Sequence, residues 1–186
     1  MEILIKEHES LQTETANKTE VLNQLEDKVK DWIEDHVEKR KLWFSSDFLP
    51  ANEKMNDDQE KNIKQLRDRS RGVKDEVRVA VALNLLTEEG LPHFHRLIAQ
   101  YLGDRSFWSK WNNMWTAEED RHGAAIRDYV RDARLFSFRE VELMQFHYIE
   151  SGFNPDWDKD PYKVFVYTTL QERATQVSHK NTGKLA

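Results

Sequence analysis

The stretch that decides the fold reads Trp108-Ser-Lys-Trp-Asn-Asn-Met-Trp-Thr-Ala-Glu-Glu-Asp-Arg-His-Gly-Ala-Ala-Ile-Arg-Asp-Tyr129. Seven of its residues recur at spacings of 3, 4, 4, 3, 4 and 3, which places them on one face of an α-helix: Trp108, Trp111, Trp115, Glu119, His122, Ile126 and Tyr129. Because five of the seven are apolar or aromatic, this face is predicted to be buried.

Glu119 and His122 occupy the middle of that face. An unpaired carboxylate in an apolar interior is costly and tends to protonate, so a compensating positive charge is expected. A metal ion supplies one, and Glu-x-x-His directs two ligands from one helical turn toward a common centre, as in di-iron carboxylate bundles. The motif alone leaves two other interpretations open, a metal-free Glu–His pair in the interior and a solvent-facing coincidence.

Two further acidic residues support the metal hypothesis. Glu88 lies among Val81, Leu85 and Leu91 in the preceding helical segment, and Glu172 lies in the last one. Each of them could be an ordinary surface acid. Three helices that each present an inward carboxylate are a less common coincidence.

Composition limits the chemistry. The 186 residues include no cysteine, which excludes disulfides, thiolate catalysis and iron–sulfur clusters, so any metal must be held by His, Asp or Glu. A net charge of −6 argues against nucleic acid as a partner. No apolar stretch approaches the roughly 20 residues of a membrane span. The first residues do not resemble a signal peptide, so a cytoplasmic location is expected.

The sequence predicts an all-α protein, since only six Gly and four Pro interrupt it and alternating β-branched runs are nearly absent. Pro92 predicts a kink in the third helix, Asn56 and either Asp104 or Ser106 are predicted caps, and Ser137 begins a capping box. We expect an N-terminal amphipathic helix region, residues 1–41, and a helical bundle, residues 42–186. The predicted helices span residues 19–40, 56–71, 75–101, 105–134, 137–152 and 161–179.

Five blocks of sequence resemble those of a known family. They are Trp43-x-x-x-Asp47-Phe-Leu-Pro50, Thr87-Glu-Glu-x-Leu-Pro92, Trp115-Thr-Ala-Glu-Glu-x-Arg-His-Gly123, Tyr167-Thr-x-x-Gln-Glu-Arg-Ala-Thr175 and Ser178-His-x-Asn-Thr182. In order and spacing they are similar to the signature blocks of the stearoyl-type acyl-acyl-carrier-protein desaturases. The resemblance covers roughly residues 40 to 183.

The resemblance implies a ferritin-like helical bundle, a homodimer and an oxygen-activating di-iron centre. It implies that Glu88 is a terminal ligand of the first iron, that His122 is the nitrogen ligand of that iron, and that Glu119 bridges both irons. Glu172 corresponds to the terminal ligand of the second iron.

Three other positions correspond to family residues that are not metal ligands. Thr175 matches a catalytic hydroxyl beside the oxygen-binding edge, although ordinary helix packing is an alternative role. Trp43 matches a tryptophan near the His122 iron, on a possible electron route, with structural packing as the alternative. His179 matches a position with a structural role.

The implied activity is the introduction of a double bond into a fatty acyl chain on acyl carrier protein, with electrons from a ferredoxin-type donor, in fatty acid biosynthesis. The family has a second Glu-x-x-His motif, which would lie beyond Ala186. We therefore expect the fourth metal-binding helix to be absent, and the 186 residues alone to bind at most one metal weakly and not to desaturate. The alternatives are a non-catalytic helical remnant or binding module, and another di-iron carboxylate oxidase.

Overall fold

The computed structural model describes residues 2–50, 57–103, 105–155 and 160–185. Within these ranges the chain forms α-helices and a short 3-10 turn, Ser45–Asp47, without any strand, which confirms the all-α prediction. The helices are α1 (Glu2–Lys39), α2 (Asp57–Ser70), α3 (Asp75–Glu89), α4 (Leu91–Leu102), α5 (Phe107–Ala133), α6 (Phe138–Ser151) and α7 (Pro161–Leu185). No helix in these ranges is both long and apolar enough to cross a membrane.

Helix α5 lies at the centre of the fold. It packs against α1, α2, α3 and α4, and the 3-10 turn also lies on it. Helix α7 completes the arrangement by packing against α3 and α4, while α6 covers another side of α3. The predicted decisive stretch is therefore the helix around which the others assemble.

Two apolar clusters hold the bundle together, one toward each end of α5. Trp108 of α5 belongs to the first cluster, with Val29, Ile98, Leu102 and Val164 from α1, α4 and α7. Val130 of α5 belongs to the second, with Val77, Val81, Leu85, Leu135 and Val141. Burial of a large aliphatic side chain is worth roughly 1.5–3 kcal/mol, so these clusters are the main source of stability. Glu119 and His122 lie between them in the sequence of α5.

The single kinked helix predicted for residues 75–101 is wrong, because the chain forms two helices that meet at Gly90. Pro92 is in the first turn of α4, where its missing N–H has no helical partner to lose. The N–H of Gly90 bonds instead to the carbonyls of Thr87 and Glu88, which ends α3. A side chain at Gly90 would lie 3.1 Å from the Tyr148 ring, so α6 packs closely there. Glu88 is consequently in the last turn of α3.

Some of the predicted helix caps form in the structure and others do not. The Ser106 side chain caps α5 by accepting from the N–H of Trp108, and Asp160 accepts from the N–H of Tyr162 at the start of α7. Ser137 does begin α6, but its side chain makes no cap hydrogen bond, so the predicted capping box does not form. Helix α7 also continues past His179 to Leu185.

Two predicted caps, Asn56 and Asp104, lie outside the described residues. Helix α1 begins earlier than predicted, at Glu2. Apolar side chains are exposed on α7, among them Val166 and Leu170. On α5 the tryptophans that follow Trp108 are half-buried.

The guanidinium of Arg78 joins the ends of α2 and α5 to the start of α3. Its Nε donates to the carbonyl of Val73 at 3.0 Å, its Nη2 to that of Ser70 at 2.9 Å, and its Nη1 to that of Leu135. The Ser70 hydroxyl adds a bond of 2.7 Å to the carbonyl of Ala133. One side chain therefore satisfies carbonyls from three segments.

We expect Arg78→Met to destabilise the chain by about 2–4 kcal/mol, because hydrogen bonds from a charged donor are worth roughly 1.5–3 kcal/mol each and the aliphatic stem is retained. Urea unfolding followed by helical circular dichroism measures the change. Arg139→Met, on the exposed face of α6, is the control and should change the free energy of unfolding by less than about 0.5 kcal/mol. Equal effects of the two substitutions would contradict the proposed role of Arg78.

Candidate metal centre

Helices α3 and α5 bring three of the predicted ligands together. Glu88, Glu119 and His122 each offer a ligand atom, and these atoms lie within 4.8 Å of one another. His122 Nδ1 is 2.8 Å from Glu119 Oε2 and 3.8 Å from Glu88 Oε2. The first contact follows from the i, i+3 spacing on α5, and the second crosses from α5 to α3.

Close approach of the two helices makes the second contact possible. Gly123, next to His122, is buried against α3, and a Cβ at this position would lie 3.5 Å from the Cβ of Glu88. A larger side chain at Gly123 would hold α3 farther from α5. The glycine that closes the third sequence block therefore has a packing role.

Glu88 is the most buried of the three ligands, with 8% of the residue exposed. Its Oε1 accepts no well-directed hydrogen bond from the described residues, although His179 Nε2 lies 3.0 Å away. A buried carboxylate that is not fully hydrogen-bonded is costly, and a bound cation would lower that cost. The carboxylate and imidazole donors present here are those that bind iron, manganese or zinc.

Glu172 reaches the same region from α7 but is not part of the group of three. Trp115 Nε1 donates a hydrogen bond of 3.2 Å to its Oε1. Although the residue is exposed as a whole, its carboxyl end lines a cleft beside Glu88 and Glu119. Partial burial there, and next the negative charge of Glu119, raise the pKa of Glu172, with the Trp115 hydrogen bond opposing them. A nearby cation would lower that pKa again.

Trp43 packs directly on His122. The two rings are nearly parallel, at 7°, with centroids 5.6 Å apart. On the indole lies the guanidinium of Arg121, 5.1 Å from the ring centroid, and Arg121 Nη1 also donates to the carbonyl of Trp43 at 3.1 Å. Trp43 thus contacts the predicted nitrogen ligand, and the 3-10 turn that follows it holds it against α5.

A narrow cleft of about 50 Å³ opens beside the three ligands, between α3, α4, α5 and α7. Its wall contains Glu88, Glu119, Glu172 and Thr175, and its other side is mainly apolar, with Leu91, Phe94, Leu97, Ile98, Val164 and Tyr167. The Thr175 hydroxyl donates to the carbonyl of Gln171 at 2.9 Å. Thr175 therefore lies at the cleft wall, and its hydroxyl hydrogen is already engaged in the helix.

Sequence reasoning missed two contacts near the site. His36 Nε2 lies 2.9 Å from Glu118 Oε1, and Arg40 Nη1 lies 2.7 Å from the same atom, so α1 is fastened to α5 one residue before Glu119. Burial would raise the pKa of Glu118, but the hydrogen bonds from Arg40 and His36 outweigh it, and the pKa lies below the usual value. The second contact joins His179 to Glu88 at 3.0 Å. Neither pair could be found from local spacing, because the partners are 82 and 91 positions apart.

In the metal-free chain we expect the pKa of His122 to exceed its ordinary value of 6.5, chiefly through the hydrogen bond with Glu119, while burial opposes the shift. Protonated His122 then stabilises the fold below pH 6.5, and this contribution is lost as the pH rises through the folded pKa. Titration of the histidine ring protons by NMR measures the pKa. Glu119→Gln should lower it, and Glu118→Gln, which leaves the contact intact, should change it much less. An unchanged His122 pKa in Glu119→Gln would contradict the conclusion that the hydrogen bond with Glu119 raises it.

Comparison with known proteins assigns this sequence to a family. A family model described as fatty acid desaturase matches residues 17–186. The chain is 34% identical to a seed-specific chloroplastic stearoyl-acyl-carrier-protein 9-desaturase of Brassica napus, with 91% of this chain and 44% of that protein covered. It is also 34% identical to an acyl-acyl-carrier-protein desaturase, DesA1, of Mycobacterium tuberculosis, with 89% and 51% covered.

The similarity begins well before residue 40, where the sequence blocks start, and the chain spans about half the length of the curated relatives it matches. The helical architecture agrees with the ferritin-like fold that the resemblance implied. The family match, the all-α fold and the clustered Glu-x-x-His motif all indicate the same family. The chain belongs to the fatty acid desaturase family.

Proposed function

We propose that this chain contributes to an acyl-acyl-carrier-protein desaturase, which introduces a double bond into a carrier-bound fatty acyl chain at a di-iron centre. The observation that carries the proposal is the convergence of Glu88, Glu119 and His122 within 4.8 Å at the wall of an apolar cleft. The relatives are named for desaturation of acyl chains on acyl carrier protein, and that of Brassica napus is named for stearoyl chains.

The donor set fits iron. Glu88, Glu119 and His122 would hold one ion with two carboxylates and one imidazole, and Glu172 would serve a second ion from across the cleft. Glu88 Oε1 accepts no well-directed hydrogen bond, and partial burial is the first cause of the raised pKa of Glu172. A bound cation would stabilise both carboxylates in their charged form. Carboxylates suit such a centre because they neutralise the cations and bind through one oxygen or two.

Desaturation removes hydrogen from two adjacent methylenes, whose C–H bonds are too weakly acidic for a side-chain base. Iron held by these residues would supply the oxidising power by activating oxygen, which would be reduced to two waters by the two hydrogens together with two electrons and two protons from outside the chain. The residues of this chain bind the ions and shape the space beside them. Trp43 and Arg121 cover the His122 side of the group, and Thr175 places a hydroxyl oxygen in the cleft wall.

The cleft would receive the part of the acyl chain that lies next to the ligands. Its apolar wall, formed by Phe94, Leu97 and Val164 among others, suits a row of methylenes that makes no hydrogen bonds. The carboxylates line one side, so a methylene in the cleft would lie beside the ligands. The carrier protein would remain outside the bundle and present the chain.

The proposed partners are acyl-acyl-carrier-protein as substrate, a ferredoxin-type protein as electron donor and a second copy of the chain in a homodimer. A cytoplasmic location stays a prediction. Because the chain spans about half of its relatives, these assignments concern the whole enzyme. The 186 residues contain one Glu-x-x-His motif, and its cluster provides three ligands for one ion.

We expect anaerobic loading with Fe(II) to give one bound ion for each 186-residue chain, because the described residues hold a single three-ligand group. Glu119→Gln should weaken binding at least about a hundredfold, since loss of groups that only support a ligand already costs about 10–100-fold. Glu118→Gln is the matched control and should bind as the parent chain does. Iron analysis after gel filtration measures the ratio. Two tightly bound ions for each chain would contradict the assignment of a single three-ligand group. Absence of any bound ion would favour a non-catalytic helical remnant.

Thr168 also lines the cleft. Thr168→Trp should weaken binding of stearoyl-acyl-carrier-protein roughly tenfold or more, because an indole at this position would block the cleft. Thr169→Trp is the control, since Thr169 is exposed and lies outside the cleft. Fluorescence anisotropy of labelled carrier protein measures affinity, and iron content shows that both variants keep the metal group. Equal affinity in the two variants would contradict the placement of the acyl chain.

A further inference from the structure

The Ser178-His-x-Asn-Thr182 block forms a polar seam between α7 and α3. Asn84 of α3 is only 7% exposed, and both ends of its amide are used. Its Nδ2 donates to Thr182 Oγ1 at 3.1 Å, and its Oδ1 accepts from Ser178 Oγ at 3.1 Å. These contacts fix the lateral position of α7 on α3, and none of them reaches the metal group.

The seam continues one helical turn further along α3, to Glu88. Glu88 follows Asn84 by four residues and so lies on the same face of α3. His179, beside Ser178 in the sequence, brings its Nε2 to 3.0 Å from Glu88 Oε1. The other oxygen of the same carboxylate, Oε2, faces His122 Nδ1 at 3.8 Å. The Glu88 carboxylate therefore lies between two imidazoles on opposite sides.

We propose that His179 is a positioning residue for Glu88, holding Oε1 through its ring N–H so that Oε2 is presented to the ion bound by Glu119 and His122. The inference rests on the proposed metal function. It assigns His179 a role in the site, in addition to the structural role expected from its sequence position.

Geometry favours positioning over direct ligation. Among the described residues, His179 belongs to no group of three or more ligand atoms lying within 4.8 Å of one another. Its N–H is near enough to Glu88 Oε1 but is not aligned with it, because that oxygen has no hydrogen bond of acceptable direction. Hydrogen bonds in unloaded sites are often poorly aligned and tighten when the site is filled. Groups that support a ligand in this way commonly fix its orientation.

Cobalt(II) binding to the 186-residue chain tests the role, with its visible absorption as a measure of coordination geometry. His179→Ala should weaken binding about 10–100-fold and change the absorption spectrum. His179→Gln keeps a donor near the Nε2 position and should recover most of the affinity. Ser178→Ala removes a seam contact without touching Glu88 and should bind as the parent chain does. Parent-like binding by His179→Ala, or failure of His179→Gln to recover affinity, would overturn the proposal.

A second measurement does not depend on metal. In the metal-free chain labelled with ¹³C at the glutamate carboxyls, His179→Ala should shift the Glu88 resonance, which a Glu88→Gln variant identifies, and Ser178→Ala should leave it in place. If the parent chain binds no cobalt yet the resonance moves, the metal function fails and the positioning contact stands. If cobalt binds normally and the resonance does not move, the positioning role is wrong and the metal function stands. Circular dichroism confirms that each variant is folded.

Discussion

Three carboxylates meet in one cleft, those of Glu88, Glu119 and Glu172. Two imidazoles contact them, since His122 lies against Glu88 and Glu119 and His179 lies against Glu88. The nearby arginines are engaged elsewhere. Arg121 donates to Trp43 and lies on its ring, and Arg127 pairs with Glu89 at 2.8 Å. The cleft therefore carries more negative charge than its protein neighbours neutralise. A cation is the simplest way to balance that charge without unfolding the surrounding helices.

The break between α3 and α4 increases the need for a positive charge near Glu88. Because α3 ends at Glu89, the carboxylate of Glu88 lies in a last turn that has no basic residue. The carbonyl groups at a helix C-terminus carry partial negative charge, and an anion there is disfavoured by roughly 0.3–1 kcal/mol. Burial of Glu88 adds to that cost. A continuous helix through Pro92 would have placed Glu88 in mid-helix, where this effect is absent.

The sequence predicted most of what depends on local periodicity. The spacing from Trp108 to Tyr129 identified the central helix, and Glu-x-x-His fixed the contact between Glu119 and His122. Gly90 was not recognised as a helix end, because Pro92 can either kink a helix or begin a new one, and the packing of Tyr148 on Gly90 is a long-range contact. The approach of His179 to Glu88 also depends on how α7 lies on α3. The sequence blocks identified these residues as candidates for the site, and the structure gives the distances between them.

Each ligand is held by a different kind of restraint, which links the site to the stability of the bundle. Glu119 and His122 are fixed by one helical turn of α5, Glu88 is contacted by His179 of α7, and Glu172 is held by Trp115. An ion shared by these groups would connect helices that otherwise meet through apolar contacts. A ligand that binds only the folded state stabilises it by about 2.7 kcal/mol at a concentration of 100 times its Kd. Without a bound ion the carboxylates of Glu88, Glu119 and Glu172 still share one cleft, so the apolar clusters at the two ends of α5 must hold the site together until metal binds.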